Sequence, residues 1–264
     1  MSWRFAAVGA AAAAVSACVA IGGVDKYSAV DCVDCAAPDA AGGDGSDGGT
    51  CAHLFCADWD EGDVRTGWGS FEQSNGTRLE VDNQFFRSAP RSLLVGVGPG
   101  DVSNPLVARL TQQFAVPPTT TKLELDLRVA EFSPTDAGAG AIEVLSVLGT
   151  AKDTGASTGV SLVWLAAGPA LVVTASAGTT ETVPLADGSI PAGGWVHLST
   201  TFTFDSAGRG AAKVLADGKV AVDRSGLMLV NAGAGSTTLA VGLKATGASP
   251  PLQINVDKLT FDIQ

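Results

Sequence analysis

The sequence predicts an all-β fold in which two antiparallel sheets pack face to face as a sandwich. Short runs of alternating apolar and polar residues recur along the chain between Gly, Pro, Asn and Asp residues. No stretch keeps apolar residues at helical spacing over several turns. About a dozen such runs are too many for one flat sheet, and they suit two packed sheets.

The chain begins with the pattern of a secretory signal. Arg4 supplies a positive charge, Phe5 to Val15 is uninterrupted and apolar, and small residues follow. A transmembrane helix needs about 20 apolar residues, so this stretch is too short to span a bilayer. We therefore expect an exported protein.

Residues 15–18 read Val-Ser-Ala-Cys and resemble the bacterial lipobox, whose cysteine receives acyl chains. We predict that residues 1–17 are a lipoprotein signal peptide and that Cys18 is lipidated. This would anchor the protein to a membrane of the bacterial cell envelope, at the outer membrane or cell surface. The alternative is an ordinary cleavage after Ala20.

Residues 18–50 predict a flexible tether, because the run from Gly42 to Gly49 is almost entirely Gly and Asp and cannot form a core. Residues 51–264 suffice for one β-sandwich domain. Formal net charge is −11, which repels phosphate backbones, so we expect no nucleic-acid partner.

Four more cysteines flank the end of the tether: Cys32, Cys35, Cys51 and Cys56. Two disulfides are the expected state in an oxidising compartment, and three pairings are open. We expect them to join the tether to the first strand. Zinc coordination is the alternative for this spacing.

Three turn signals and one alternating run define elements inside the domain. Asn75-Gly76 and Asp217-Gly218 each predict a tight hairpin, and Gly168-Pro169 separates two apolar runs. Between them, residues 122–129 alternate charged and Leu or Val residues, which predicts one strand with an apolar inward row and a solvated, charged outward row.

Three longer segments resemble the concanavalin A-like lectin/glucanase (laminin G-like) jelly-roll superfamily, as found in bacterial surface lipoproteins. They are Phe55 to Asp60 with Trp68 and Ala89 to Val95, then Gly194 to Val220, and finally Ile254 to Phe261. The resemblance implies a jelly-roll sandwich. It also implies a structural calcium ion between Asp60 and Asp257, for which plain surface acids are the alternative.

Some members of that superfamily are glycoside hydrolases with three carboxylates at alternate positions of one strand. Here Glu124 and Asp126 begin that pattern, and Arg128 stands where the acid would be. Arginine stays charged and cannot protonate a leaving group. A Gly-x-Ser-x-Gly-like run at 155–159 leads into a strand rather than a helix, so it is not a nucleophile elbow. These features predict that the protein is not an enzyme.

We therefore expect a non-catalytic module that binds polysaccharide or a surface protein. Flat aromatic rings beside polar groups suit sugars, and the candidates are Trp195 and Trp164 with His197 and Asn231. A structural or adhesive envelope protein without a small ligand is the alternative, and a glycoside hydrolase-like enzyme is a weaker one.

Overall fold

The computed structural model describes residues 51–60, 62–99, 105–132, 140–176, 178–231 and 233–264. The signal peptide, Cys18, Cys32, Cys35 and the rest of the tether lie outside these residues. The described strands are β1 (Phe55–Ala57), β2 (Ser70–Gln73), β3 (Thr77–Asp82), β4 (Ser92–Val97), β5 (Leu106–Phe114), β6 (Thr120–Phe132), β7 (Ala141–Ala151), β8 (Ser157–Leu165), β9 (Gly168–Thr174), β10 (Thr180–Pro184), β11 (Trp195–Thr203), β12 (Gly210–Ala216), β13 (Lys219–Leu227), β14 (Gly235–Thr246) and β15 (Leu252–Ile263).

The strands form two antiparallel sheets, which confirms the predicted all-β sandwich. The eight-stranded sheet has the order β13-β12-β11-β6-β15-β4-β3, with β1 added beside β15. The seven-stranded sheet has the order β10-β9-β8-β7-β14-β5-β2. Across the described ranges, no helix is long and apolar enough to cross a membrane.

The core lies between the sheets and is built from the inward rows of their strands. The predicted inward row of β6 is confirmed, since Leu123, Leu125, Leu127 and Val129 are at most 2% exposed. Each such side chain stabilises the fold by about 1.5–3 kcal/mol relative to full exposure. This buried row fixes which side chains of β6 face outward.

The closing strand β15 is central in its sheet. It pairs with β6 on one side, and on the other with β4 along 252–256 and β1 along 259–261. A bulge follows Asp257, where Lys258 has a left-handed φ of 48°. The extra residue lets Asp257 and Thr260 both face outward while Leu259 stays in the core.

The turn signals have different outcomes. Asp217 and Gly218, with φ of 47° and 75°, connect β12 and β13 in the predicted tight hairpin. The prediction of a hairpin at Asn75-Gly76 is wrong, because β2 belongs to the seven-stranded sheet and β3 to the eight-stranded sheet. That turn crosses between the sheets, because β2 pairs with β5 in one sheet and β3 pairs with β4 in the other.

The start of the domain is fastened to its last strand. Cys51 and Cys56 form a disulfide, one of the open pairings, so these two cysteines join residues of the domain and not, as expected, the tether to the first strand. His53 Nδ1 lies 2.7 Å from Asp262 Oδ2, and the Leu54 amide donates to Asp262 Oδ1 at 2.9 Å. These contacts hold the beginning of the described chain beside the edge of β15 where β1 pairs.

Candidate functional site

The outward face of the eight-stranded sheet brings polar side chains of three central strands into register. Because side chains alternate along a strand, every second residue of β15, β6 and β11 faces outward. Two adjacent rows result. One row is Asn255, Arg128 and Trp195, and the other is Asp257, Asp126 and His197.

A loop at residues 83–91, between β3 and β4, lies over part of this face. The fully buried carboxylate of Asp257 anchors it by accepting hydrogen bonds from the Arg87 amide at 2.8 Å and the Ser88 amide at 2.7 Å. It also accepts from the Ser88 hydroxyl and the Lys258 amide, both at 2.8 Å. This single carboxylate therefore fixes the backbone of the loop above the sheet.

Arg128 is held on three sides and still faces the open surface. Its Nη1 donates to Asn255 Oδ1 at 3.1 Å, and its Nε donates to the Gly193 carbonyl at 3.1 Å. The exposed ring of Phe85, from the loop, lies 4.0 Å from the guanidinium carbon. Two of the five N–H donors are used in these bonds, so the others can bind a ligand.

Asn255 extends the support of Arg128 into the sheet. It is fully buried, and its amide nitrogen donates to Asp82 Oδ2 at 2.8 Å and to Ser92 Oγ at 3.3 Å. With both ends of the amide occupied, its oxygen must point at Arg128. The guanidinium is thereby positioned before any ligand arrives.

His197 and Asp126 form an ion-pair geometry beside Arg128. His197 Nδ1 lies 3.0 Å from Asp126 Oδ1, and Arg87 Nε lies 3.6 Å from the same oxygen. The side chain of Asp126 is 7% exposed, whereas that of His197 is 42% exposed. With Nδ1 engaged, the other ring nitrogen, Nε2, is the one left for a ligand on this partly exposed side chain.

The charges are layered in a way that favours an anionic ligand. The carboxylates of Asp126 and Asp257 are buried against the sheet, while Arg87, Arg128 and His197 reach the surface. The predicted solvated outward row is therefore wrong at Asp126, which the loop covers. A ligand approaching from solvent meets Arg87, Arg128 and the ring of His197 before either carboxylate.

The predicted ligand-binding residues do not all lie together. Trp195 and His197 are neighbours on this face, as predicted. Trp164 is on β8 of the other sheet, 5% exposed, with its ring 6.2 Å from that of Phe132 in the core. Asn231 is in the loop after β13, where its side chain accepts from the Gly233 amide at 2.9 Å.

Asp60 and Asp257, the predicted calcium ligands, lie near each other at the side of the loop. Burial first, and then the charge of Asp58 and that of Asp257, raise the pKa of Asp60. The described residues include no group of three or more His, Cys, Asp or Glu side chains that could hold a metal ion. Both Asp257 oxygens already accept hydrogen bonds, a poor fit to a calcium ligand. Calcium binding stays a prediction.

A second ionic cluster lies on the seven-stranded sheet, and its arginine is flanked by two acids. Arg109 is 2.9 Å from Glu72 and 3.6 Å from Glu143. It borders a shallow depression of about 140 Å³ that Lys244 also lines. Because two acids flank Arg109, we do not treat this cluster as the functional site.

Sequence reasoning did not identify Arg128, Asp126, Asn255 or Phe85 as site residues. Asn255 and Asp257 alternate with apolar residues in the closing strand, and buried polar groups of this kind need partners. That alternation was the signal in the sequence from which Asn255 could have been identified as a site residue. The contribution of the loop could not be read from the sequence, because it depends on the fold around Asp257.

Several solved structures resemble this fold. An endo-beta-1,4-glucuronan lyase from the fungus Trichoderma reesei has a TM-score of 0.62 at 14% identity, over 80% of this chain and 96% of that chain. The Cellulose induced protein, Cip1, has 0.51 at 14%, over 78% and 96%. The alginate lyase Aly36B has 0.51 at 14%, over 78% and 95%. A mutant of Aly36B in complex with alginate tetrasaccharide has 0.52 at 16%, over 79% and 96%. No protein-family model and no curated protein sequence matches the chain.

These structures agree with the predicted β-sandwich and contradict the expected non-catalytic module. Two of the three proteins are named as polysaccharide lyases, so the expectation that the chain is not an enzyme is corrected. The argument from Arg128 excluded hydrolysis by a carboxylic acid and nothing else. At this level of identity the likeness shows the fold, and the chemistry of the site must support any activity.

Proposed function

We propose that this protein is a polysaccharide lyase that cleaves a uronate-containing glycan by β-elimination on the outward face of the eight-stranded sheet. The observation that carries the proposal is the fixed guanidinium of Arg128 in the row beside His197, whose Nδ1 is bound to Asp126. The lyases with the same fold support it. Cleavage by elimination needs no water and no carboxylic acid at the position of Arg128.

Elimination from a 4-linked uronate makes three chemical demands. A base must remove the proton on C5, next to the carboxylate, and a cation must stabilise the negative charge that then spreads onto that carboxylate. The C4–O4 bond breaks as the C4=C5 double bond forms. The departing O4 must also receive a proton.

Arg128 meets the demand for a cation. Its planar guanidinium matches a carboxylate in geometry, and its charge persists throughout the reaction. Asn255 and Gly193 fix it in place, so little reorganisation is needed when charge develops. The net charge of −11 gives the chain a negative electrostatic potential that repels an acidic glycan. Such a glycan would therefore bind where Arg87 and Arg128 make the local potential more positive.

His197 meets the demand for a base. Bonding of Nδ1–H to the buried carboxylate of Asp126 selects the tautomer with an unprotonated Nε2 on the open side. Exposed rings at Phe85 and partly exposed Trp195 border the two cations and suit contact with the apolar face of a sugar. The site thus offers a base, a cation and a surface for the sugar ring.

Export and lipid anchoring at Cys18 remain proposals that rest on the sequence, as does the closer assignment to laminin G-like lipoproteins. The division into signal peptide, tether and a domain at 51–264 is likewise a proposal that rests on the sequence. An envelope-anchored lyase would act on polysaccharide outside the cell.

The test is ultraviolet detection of unsaturated uronates after incubation with glucuronan and alginate, with a neutral glucan as control. We expect unsaturated product from glucuronan or alginate and none from the neutral glucan. The variant His197→Ala should release no such product. The matched control is His53→Ala, since His53 is the other histidine and pairs with Asp262 away from the two rows. A folded protein that releases no unsaturated product from any acidic polysaccharide contradicts the proposal.

A further inference from the structure

The strand that carries His197 extends beyond its neighbour on one side. The ladder between β11 and β12 stops at the pair Leu198 and Ala216, although β11 itself begins at Trp195. On its other side this part of β11 pairs with β6, where His197 lies opposite Asp126. A strand that is bonded along one edge alone leaves backbone groups unpaired on the other and opens more readily. The backbone of His197 therefore needs support on the side of β12.

The support comes from the turn that joins β12 to β13. The Asp217 amide donates to the His197 carbonyl at 2.8 Å, and the His197 amide donates to Asp217 Oδ1 at 2.9 Å. In a regular antiparallel pair both acceptors would be backbone carbonyls. Here a side-chain oxygen takes the place of one of them, where the chain turns with a left-handed φ of 47° at Asp217 and 75° at Gly218. The carboxylate thus completes a hydrogen-bonded pair at the point where the hairpin ends the ladder.

This contact is more than the turn itself requires. A tight turn with positive φ accepts Gly as well as Asn or Asp, so its conformation needs no side-chain oxygen. A short side chain with an acceptor can in addition receive the amide of His197. A hydrogen bond to an ionised carboxylate is about twice as strong as one between neutral groups. Asp217 is therefore suited to hold β11 in place as well as to form the turn.

We infer that Asp217 is a positioning residue for the proposed base, because it fixes the backbone of His197 while Asp126 fixes the ring. This inference rests on the proposed lyase function. His197 Nδ1 lies 3.0 Å from Asp126 Oδ1, and the His197 backbone exchanges its two hydrogen bonds with Asp217. A base held at both ends presents Nε2 in one place, and a displacement of about 1 Å can lower a rate by about 100-fold. Loss of the Asp217 oxygen should therefore slow proton removal without weakening the binding of the glycan at Arg128.

Two substitutions at Asp217 separate this role from a role in folding. Asp217→Gly keeps a residue that adopts positive φ and removes the acceptor, whereas Asp217→Asn keeps both features. With the full chain, Asp217→Gly should lower kcat on glucuronan or alginate by about 10- to 100-fold and leave KM nearly unchanged. Asp217→Asn should keep most of the activity. The His197 amide should exchange its hydrogen faster in Asp217→Gly, with a urea midpoint close to that of the wild type.

Another Asp-Gly turn provides the matched control. Asp187 precedes Gly188 in an exposed turn between β10 and β11. This turn closes on itself, through a hydrogen bond from the Ser189 amide to the Ala186 carbonyl. Asp187→Gly makes the same exchange of side chains and should leave kcat and the exchange of the His197 amide unchanged.

Lys219 provides a second control, since it begins β13 directly after the Asp217 turn and is exposed. Lys219→Met tests whether a disturbed turn acts through this ammonium group instead of through His197. The variant should keep its kcat. A loss of kcat equal to that of Asp217→Gly would overturn the inference.

The remaining outcomes separate the inference from the function on which it rests. Wild-type kcat in Asp217→Gly, or unchanged exchange of the His197 amide, would overturn the inference and leave the lyase function standing. Equal losses of kcat in Asp217→Gly and Asp217→Asn would also overturn it, because the side-chain oxygen would then not be the group that matters. A folded wild type that releases no unsaturated product would overturn both.

Discussion

Arg128 and Asn255 face each other across β6 and β15, with the guanidinium Nη1 donating to the amide oxygen at 3.1 Å. The amide nitrogen is fixed in turn by Asp82 and Ser92. A fully buried amide that cannot rotate thus aims its oxygen at a partly exposed cation. Such fixed polar groups are what stabilise charge that develops during a reaction.

Replacing Arg128 should affect catalysis far more than folding. Arg128→Met should lower kcat/KM on an acidic polysaccharide by about 100- to 1,000-fold, because the developing carboxylate charge loses its stabilising cation. Arg128→Lys keeps the charge without the planar fork and should recover only part of the rate. Product absorbance measures the rates, and circular dichroism checks the fold. Full activity in Arg128→Met would exclude this role.

Removing the loop anchor should lower stability. Asp257→Ala leaves the amides of Arg87, Ser88 and Lys258 without their acceptor, so we expect a loss of about 2–4 kcal/mol in the free energy of unfolding. Urea denaturation measures it. Asp223→Ala, an exposed acid on β13, is the matched control and should change stability little. Equal effects of the two substitutions would mean that the carboxylate of Asp257 does not hold the loop.

Because the pKa of Asp60 is raised, we expect the substitution Asp60→Asn to stabilise the protein in a pH-dependent way. Burial, Asp58 and Asp257 disfavour the ionised form in the folded state, so the protonated form is the better folded one. That favourable contribution is complete below the unfolded pKa, about 3.9, and is lost as pH rises through the folded pKa. Asp60→Asn should therefore exceed the wild type in stability at neutral pH.

The stability gain from Asp60→Asn should vanish in acid, where both side chains are neutral. Urea denaturation at neutral and at acid pH, with a chelator present, makes the comparison. If Asp60→Asn is no more stable than the wild type at neutral pH, the neighbouring carboxylates do not destabilise the ionised form of Asp60. With calcium added instead, a rise in the thermal midpoint of the wild type that Asp60→Asn lacks would support the predicted metal site.

Lipid anchoring is tested at the predicted acylation site. Cys18→Ser, expressed in a bacterial host that processes lipoproteins, should move the protein from the membrane fraction to the soluble fraction, because acyl chains supply the anchor. Fractionation and the mass of the mature N-terminus provide the readouts. Membrane association unchanged by the substitution would mean that another feature binds the protein to the envelope.

The sequence predicted the sandwich and half of the site, and the reasons are physical. Alternation along a strand identifies which side chains face outward, and along β11 it placed Trp195 and His197 on one surface. Alternation cannot say what covers that surface. The loop at 83–91 buries Asp126 and brings Phe85 to Arg128 through long-range contacts. For the same reason Trp164 could not be assigned to the core.

The functional prediction failed at Arg128 because a single reaction class was considered. Within a hydrolase pattern, an arginine in place of a carboxylic acid ends catalysis. Within an elimination, the same arginine stabilises the substrate carboxylate. The residue types along a strand do not choose between these reactions, and the pairing of His197 with Asp126 had to be seen in three dimensions.

The most direct test is mass spectrometry of the products from glucuronan and alginate digested in water labelled with heavy oxygen. The lyase account predicts that each fragment with a new non-reducing end is lighter by one water than the matching hydrolysis product, and that cleavage incorporates no label. Their formation should depend on both Arg128 and His197. Products that carry the label would show hydrolysis and would contradict the account.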